Sequence, residues 1–252
     1  MSRKFSCREP VYLGWENAVK LLPDAGIHGL EVSVRPAEEL QTVAAAAAEN
    51  GVELMTMAGG VKLDDEASIA AYVTQLDACA QVGIPIYFTS ASGGDQERET
   101  SMARLRELAQ EAAARDVVIS LETHPPFCQN ADGMLATLGE VGHPNLGVNL
   151  DTANIFYYNE GLDSADELAR VIDHVASLHL KDTDGGFKSP QFPVLGEGVV
   201  RFERIFEILD GAGFDGPMAL ELEGPVMSGK DNAARHEDVK ACMAYLRSIG
   251  VA

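Results

Sequence analysis

Four short runs in the second half of the chain repeat one pattern: Ser120-Leu121-Glu122, Asn149-Leu150-Asp151, Ser177-Leu178-His179 and Ala219-Leu220-Glu221. In an extended segment alternate side chains point to opposite faces, so each leucine faces away from the carboxylate or imidazole that follows it. If the four segments end side by side, three carboxylates and one imidazole converge on a single divalent cation. Mixed oxygen and nitrogen donors suit Mn²⁺, Mg²⁺, Co²⁺ or Zn²⁺, and ligand type alone does not choose among them. Taken singly, a carboxylate at a strand end is more often a helix cap or ion-pair partner, and a lone histidine more often a hydrogen-bonded core residue. Fourfold repetition, always in phase with leucine, sets these residues apart.

The elements that must position them alternate along the chain. Short β-rich stretches are expected at 4–7, 29–34, 52–57, 85–89, 117–122, 146–151, 175–180 and 218–222. Helical periods are expected at 15–22, 37–49, 66–81, 99–115, 131–141, 164–173, 202–212 and 233–249. Pro36 opens the second helix where its missing N–H is harmless, and Gly51, Gly83 and Gly250 follow helices where a left-handed cap is wanted. Pro23 is expected to kink or stop the first helix. Eight strand–helix units without a linker-like stretch predict an α/β chain forming a single (β/α)₈ TIM barrel over residues 1–252. In such a barrel the carboxyl ends of the strands form the active site, so Glu122, Asp151, His179 and Glu221 would ring one mouth. The intervals from Glu122 to Asp151 and from Asp151 to His179 each fit one strand–helix unit. The interval to Glu221 carries an enlarged loop, 181–199, expected to lie over the pocket.

Composition narrows the classes. A chain of 252 residues with 46% hydrophobic content can bury one large core. The net charge of −20 and pI of about 4.5 oppose extended contact with phosphate backbones, so no nucleic-acid partner is expected. There is no apolar run of the roughly 20 residues a bilayer span requires, and the start MSRKFSCREP has no signal-peptide core. A soluble, cytoplasmic protein with no membrane partner is the expectation. Cys7, Cys79, Cys128 and Cys242 are scattered without metal or redox spacing and are expected reduced and mostly buried.

LETHP at 121–125, NLDTAN at 149–154, HLKD at 179–182, LGEG at 195–198 and LELEG at 220–224 resemble the xylose isomerase-like barrel superfamily, especially its sugar isomerase and epimerase branch. The order and register match over essentially the whole chain, with the specific motifs confined to the second half. The resemblance implies a divalent metal bound by Glu122, Asp151, His179 and Glu221. It also implies that Glu122 and Glu221 lie on opposite sides of the substrate as the acid–base pair. Such chemistry needs these residues because a proton on carbon beside a carbonyl is very weakly acidic. Removing it requires stabilisation of the enediolate charge that develops on oxygen, which a metal ion can supply. One carboxylate takes the proton and a second acid returns one, to the neighbouring carbon in isomerisation or to the opposite face in epimerisation.

Several neighbours could position a small sugar or polyol-derived substrate. His124 and Lys181 lie two residues beyond Glu122 and His179 on the same faces, and Asn154 and Asp182 are hydrogen-bonding candidates. Glu31 sits in a fifth leucine-then-acid pattern, with anchoring of the barrel interior through Arg8 or another strand's donor as the alternative. Glu197 could contact substrate from the loop, and Glu223 shares the face of Glu221. Trp15, His28, His143, His174 and His236 are expected to be structural.

Three other classes share part of this pattern. Endonuclease IV-type enzymes need further histidines, but the third and fourth strand ends read MTMAGG and FTSASGG and Asn154 stands three after Asp151. Inosose dehydratase-like and dehydroshikimate dehydratase-like relatives share the first proton abstraction, so the motifs do not separate elimination from epimerisation. A non-catalytic sugar-binding barrel would be favoured by loss of a ligand, and all four candidates are present. No glycine-rich loop opens a helix beside a lysine, so a phosphorylated substrate is not supported. The expected activity is a metal-dependent isomerase or epimerase of a ketose or hydroxycarbonyl compound. A homo-oligomer is expected by analogy with the resembling enzymes.

Overall fold

Leucines on one side of each extended segment and polar residues on the other have a simple solution in a closed sheet wrapped by helices. The computed structural model describes residues 3–252; Met1 and Ser2, part of the expected 1–252 unit, lie outside the described residues. The strands are β1 (Phe5–Arg8), β2 (Gly29–Ser33), β3 (Glu53–Lys62), β4 (Ile86–Ser92), β5 (Val118–Glu122), β6 (Leu146–Asp151), β7 (Val175–Leu180) and β8 (Met218–Leu220). Each pairs in parallel with its sequence neighbour, and β1 closes the barrel against β8. The helices are α1 (Trp15–Ala25), α2 (Ala37–Glu49), α3 (Glu66–Val82), α4 (Arg98–Ala113), α5 (Ala131–Val141), α6 (Asn154–Tyr158), α7 (Ser164–Val171), α8 (Phe202–Ala212) and α9 (Asn232–Ser248). The fold is the expected (β/α)₈ TIM barrel.

Cys7, Leu30, Met57, Leu121, Leu150, Leu178 and Leu220 belong to the buried apolar core. Residues alternating with them build a polar barrel interior: Ser120 and Ser177 hydroxyls lie 2.9 Å apart, and Asn149 Nδ2 donates to Ser177 Oγ at 2.8 Å. Thus the small or polar residue of each repeated run forms a floor, and the ionisable residue after the leucine stands above it.

Local chemistry ends the helices. Asp65, Asn130, Asp163 and Asp231 side chains accept backbone N–H groups at the starts of α3, α5, α7 and α9, contacts typically worth about 1 kcal/mol each. Pro23 does not stop α1, which continues to Ala25. It falls in the last turn, where its missing N–H forfeits a single intrahelical bond. Gly26 then closes the helix with φ 80°, donating to the carbonyls of Leu22 and Pro23.

Other boundaries differ from the sequence expectations. β3 runs to Lys62 because Gly59 and Gly60 continue the ladder opposite Thr89 and Ser90, and at Gly59 the Tyr87 hydroxyl fills the space a side chain would need. β8 ends at Leu220 rather than 222, leaving Glu221 just past the ladder. The short α6 was not anticipated. Its five residues are too few to display a helical period. All four cysteines are free and buried. Among the described residues no helix is long and apolar enough to cross a membrane.

Candidate active site

Pairing of β6 with β7 sets Asp151 directly beside His179. Glu221, one residue past β8, joins them, and Asp151, His179 and Glu221 each offer a ligand atom within 4.8 Å of the others. All three side chains are buried. Asp151 is held from behind: its Oδ1 accepts the backbone N–H groups of Ala153 at 2.8 Å and Asn154 at 2.9 Å, leaving Oδ2 to face the centre. Thr152 Oγ1 donates to the Lys181 carbonyl at 2.6 Å and accepts the Lys181 N–H at 3.0 Å, locking the ends of β6 and β7 together.

Around this trio lies a dense set of charges. His179 Nδ1 is 2.8 Å from Glu221 Oε2, and its Nε2 is 3.1 Å from Glu31 Oε2. Arg8, at the end of β1, pairs with Glu31 at 2.8 Å and with Glu221. Lys181 Nζ is 2.8 Å from Asp151 Oδ2, 2.9 Å from Glu223 and 3.4 Å from Glu221 Oε2. Phe88 packs on His179 with ring centroids 4.5 Å apart, excluding water from that side.

The titration behaviour follows from burial and these neighbours. Burial opposes charge on His179, but Glu31 and Glu221 outweigh it and raise the imidazole to about 10. Burial would likewise raise Glu221, yet Lys181, Arg8 and His179 hold it well below the usual carboxylate range. Asp151 is lifted to about 7, chiefly by burial, against the pull of Lys181. Lys181 and Arg8 stay charged despite burial because carboxylates surround both.

The trio suits a divalent cation. Asp151 Oδ2, His179 Nδ1 and Glu221 Oε2 are buried, and none makes a well-aligned hydrogen bond despite its close ionic neighbours. Two carboxylate oxygens and an imidazole nitrogen, the latter once its proton is displaced, are the donor set of a borderline or hard divalent ion. Glu122 stands outside this trio. It accepts a hydrogen bond from Ser90 Oγ on β4 and lines the open mouth of the barrel.

That mouth is a cavity of about 470 Å³ whose wall includes Arg8, Ser90, Glu122, His124, Asn154, Lys181, Glu221 and Glu223. The enlarged loop supplies Pro190 and Phe192 to its rim, and α6 supplies Tyr157 and Tyr158. His124 packs edge-on against Tyr158, with centroids 5.0 Å apart. Asn154 Nδ2 donates to the Thr123 carbonyl at 3.2 Å.

Three residues expected near substrate lie elsewhere. Glu31 is 1% exposed beneath the trio, tied to Arg8, His179 and Thr56. Asp182 is fully buried, and its two oxygens accept the backbone N–H groups of Thr183, Gly196, Gly198 and Val200. It ties the enlarged loop to β7 because three amides in the 196–200 bend share this one acceptor. Glu197 is exposed on that loop, away from the cavity wall.

Sequence reasoning treated Arg8 only as an anchor for Glu31 and missed Ser90, Tyr157, Tyr158 and Phe192. The position of Arg8 and Ser90 at strand ends was the available signal; the aromatic residues sit on a short helix and a loop, where no periodicity marks them.

A closed parallel barrel with this buried trio at the carboxyl ends of its strands defines the class, and the family model described as xylose isomerase-like TIM barrel matches residues 19–249. The chain belongs to that family. The L-ribulose-5-phosphate 3-epimerase UlaE of Shigella flexneri serotype 5b (strain 8401) is 30% identical over 162 residues, 64% of this chain and 53% of that protein. The chain thus matches about half the length of this curated relative. Among solved structures, the xylose isomerase domain protein from Planctomyces limnophilus superposes with a TM-score of 0.81 at 22% identity, covering 98% of this chain and 96% of the other. The D-allulose 3-epimerase from Methylomonas sp. gives 0.78 at 17% identity, covering 98% of each chain. These structural likenesses show the shared fold.

Proposed function

We propose that this chain is a divalent-metal-dependent 3-epimerase of a small ketose. The observation that carries the reading is the meeting of Asp151 Oδ2, His179 Nδ1 and Glu221 Oε2, buried and without aligned hydrogen-bond partners, at the floor of a polar mouth. The epimerase named above supports the reaction class. Asp151, His179 and Glu221 would hold the ion, with Glu122 as a fourth ligand once its Ser90 hydrogen bond is exchanged. A bound divalent ion supplies positive charge to a ketose oxygen and so acidifies the adjacent C–H.

The remaining work falls to side chains. Glu122, half-buried with Ser90 as its hydrogen-bonding partner, is suited to taking or returning the proton at carbon 3. Glu221 stands three strands around the barrel from Glu122 and would serve the opposite face of that carbon. Arg8 and Lys181 fix the orientation of Glu221, while His124, Asn154 and the aromatic rim orient the polyol.

The test is uptake of deuterium from heavy water into a panel of ketoses, with and without EDTA. Metal-dependent exchange at carbon 3 with conserved substrate mass is expected. Loss of water instead would replace epimerisation by dehydration, and exchange that EDTA leaves untouched would remove the metal.

A further inference from the structure

A ketose epimerase can act on a free sugar or on its phosphate ester, and the charges at this mouth discriminate between the two. Capturing a phosphate dianion takes uncommitted arginine or lysine donors, or several free backbone N–H groups. The two cationic side chains on the wall each face a carboxylate that the proposed ion does not claim: Arg8 faces Glu31 and Lys181 faces Glu223. His124 turns Nδ1 to the Pro125 carbonyl and packs its ring on Tyr158. Amides in the glycine-rich stretches of the enlarged loop are spent as well. Gly185 donates to Thr183 Oγ1, Gly186 to Asp184, and Gly196 and Gly198 to Asp182.

Five carboxylates, Glu31, Glu122, Asp151, Glu221 and Glu223, face those two side-chain cations, so even a bound divalent ion leaves the site net negative by one. Glu223 is the outermost of the charges around Lys181, its side chain 47% exposed while that of Lys181 is 2% exposed. It therefore does two things at once. It neutralises the one ammonium on the cavity wall, and it presents a like charge to any anion entering the mouth. Tyr157, Tyr158 and Phe192 contribute aromatic rings, not cations, to the rest of that wall.

Resting on the epimerase reading above, we propose that the substrate is an unphosphorylated ketose and that Glu223 is the residue that selects against the phosphate ester. The experiment uses the full chain supplied with Mn²⁺ and matched pairs of ketopentoses and ketohexoses with their terminal phosphates, reading deuterium incorporation at carbon 3. For the pair turned over best, kcat/KM should favour the free ketose by about tenfold or more. Glu223→Gln should narrow that ratio about threefold, and added salt should narrow it in the wild type, because the repulsion is screened. A merely structural role for Glu223 would leave the salt dependence as large in Glu223→Gln as in the wild type. A phosphate ester used as well as or better than its free ketose overturns the proposal, and a ratio unchanged by Glu223→Gln removes Glu223 from selection whatever its response to salt. Absence of exchange with every pair would instead reject the epimerase reading on which the proposal stands.

Discussion

Lys181 Nζ lies 2.8 Å from Asp151 Oδ2, with both side chains out of solvent, so an ammonium occupies one flank of the group that would hold a divalent ion. The pair keeps the metal-free site compact. Its partners Asp151 and Glu221 would otherwise repel one another in a medium that screens poorly.

Lys181→Met should therefore destabilise the metal-free protein by about 3 kcal/mol, since removing one partner strands buried carboxylates. Urea denaturation measures this directly. Mn²⁺ should recover more stability in the variant than in the wild type, because the ion replaces the missing charge. Failure of Mn²⁺, Mg²⁺, Co²⁺ and Zn²⁺ alike to do so would take Asp151 and Glu221 out of metal binding.

Glu122 and Glu221 should separate by phenotype. Glu122→Gln should lower kcat by about 10²–10⁴, the range expected for losing a general acid or base, while retaining measurable metal affinity through the other three residues. Glu221→Gln should lose turnover together with metal affinity, and isothermal calorimetry distinguishes the two. Equal loss of metal binding in both variants would place Glu122 among the indispensable ligands.

The raised pKa of His179 has a definite sign. An ordinary histidine titrates near 6.5, whereas in the fold this imidazole titrates near 10, burial being outweighed by Glu31 and Glu221. Proton binding at His179 thus contributes stability that is full below about pH 6.5 and lost as pH rises through about 10. Metal-free wild type should lose a few kcal/mol over that window relative to His179→Asn, seen in urea midpoints. Metal loading below pH 10 should release a proton, read by calorimetry in buffers of different ionisation enthalpy. Loading without proton release would show that the ion does not displace the His179 proton.

Asp182→Ala should loosen the loop that carries Phe192. Four backbone amides lose their acceptor, and hydrogen bonds to a charged group contribute about 1.5–3 kcal/mol each, partly regained from water. A stability loss of about 3 kcal/mol and faster proteolysis within 183–200 are the expected readouts. Unchanged cleavage there would mean that other contacts hold the loop.

Much of this architecture could be read from short-range patterns. Leucine alternation placed Glu122, Asp151 and His179 on the inward face of their strands because side-chain direction in a strand has a period of two residues. Helix starts at Asp65, Asn130, Asp163 and Asp231 are likewise local events. Pro23 was misjudged because the cost of a proline depends on how near the helix end falls, which Gly26 decided.

Side-chain commitments were hidden. Asp182, expected near substrate, is consumed by amides up to 18 residues downstream, a loop closure with no periodic signature. The aromatic rim from α6 and the enlarged loop escaped for the same reason.

By itself, then, the amino-acid order determined which residues face the barrel axis and that eight strand–helix units follow one another, since both depend on neighbours a few positions apart. Only the closed tertiary structure decided which charges meet. Arg8 reaches Glu221 across 213 residues of chain, and His179 reaches Glu31 across 148. Coulombic partnership depends on distance in space and on the water excluded between the groups, and neither is written in the spacing of residues along the chain.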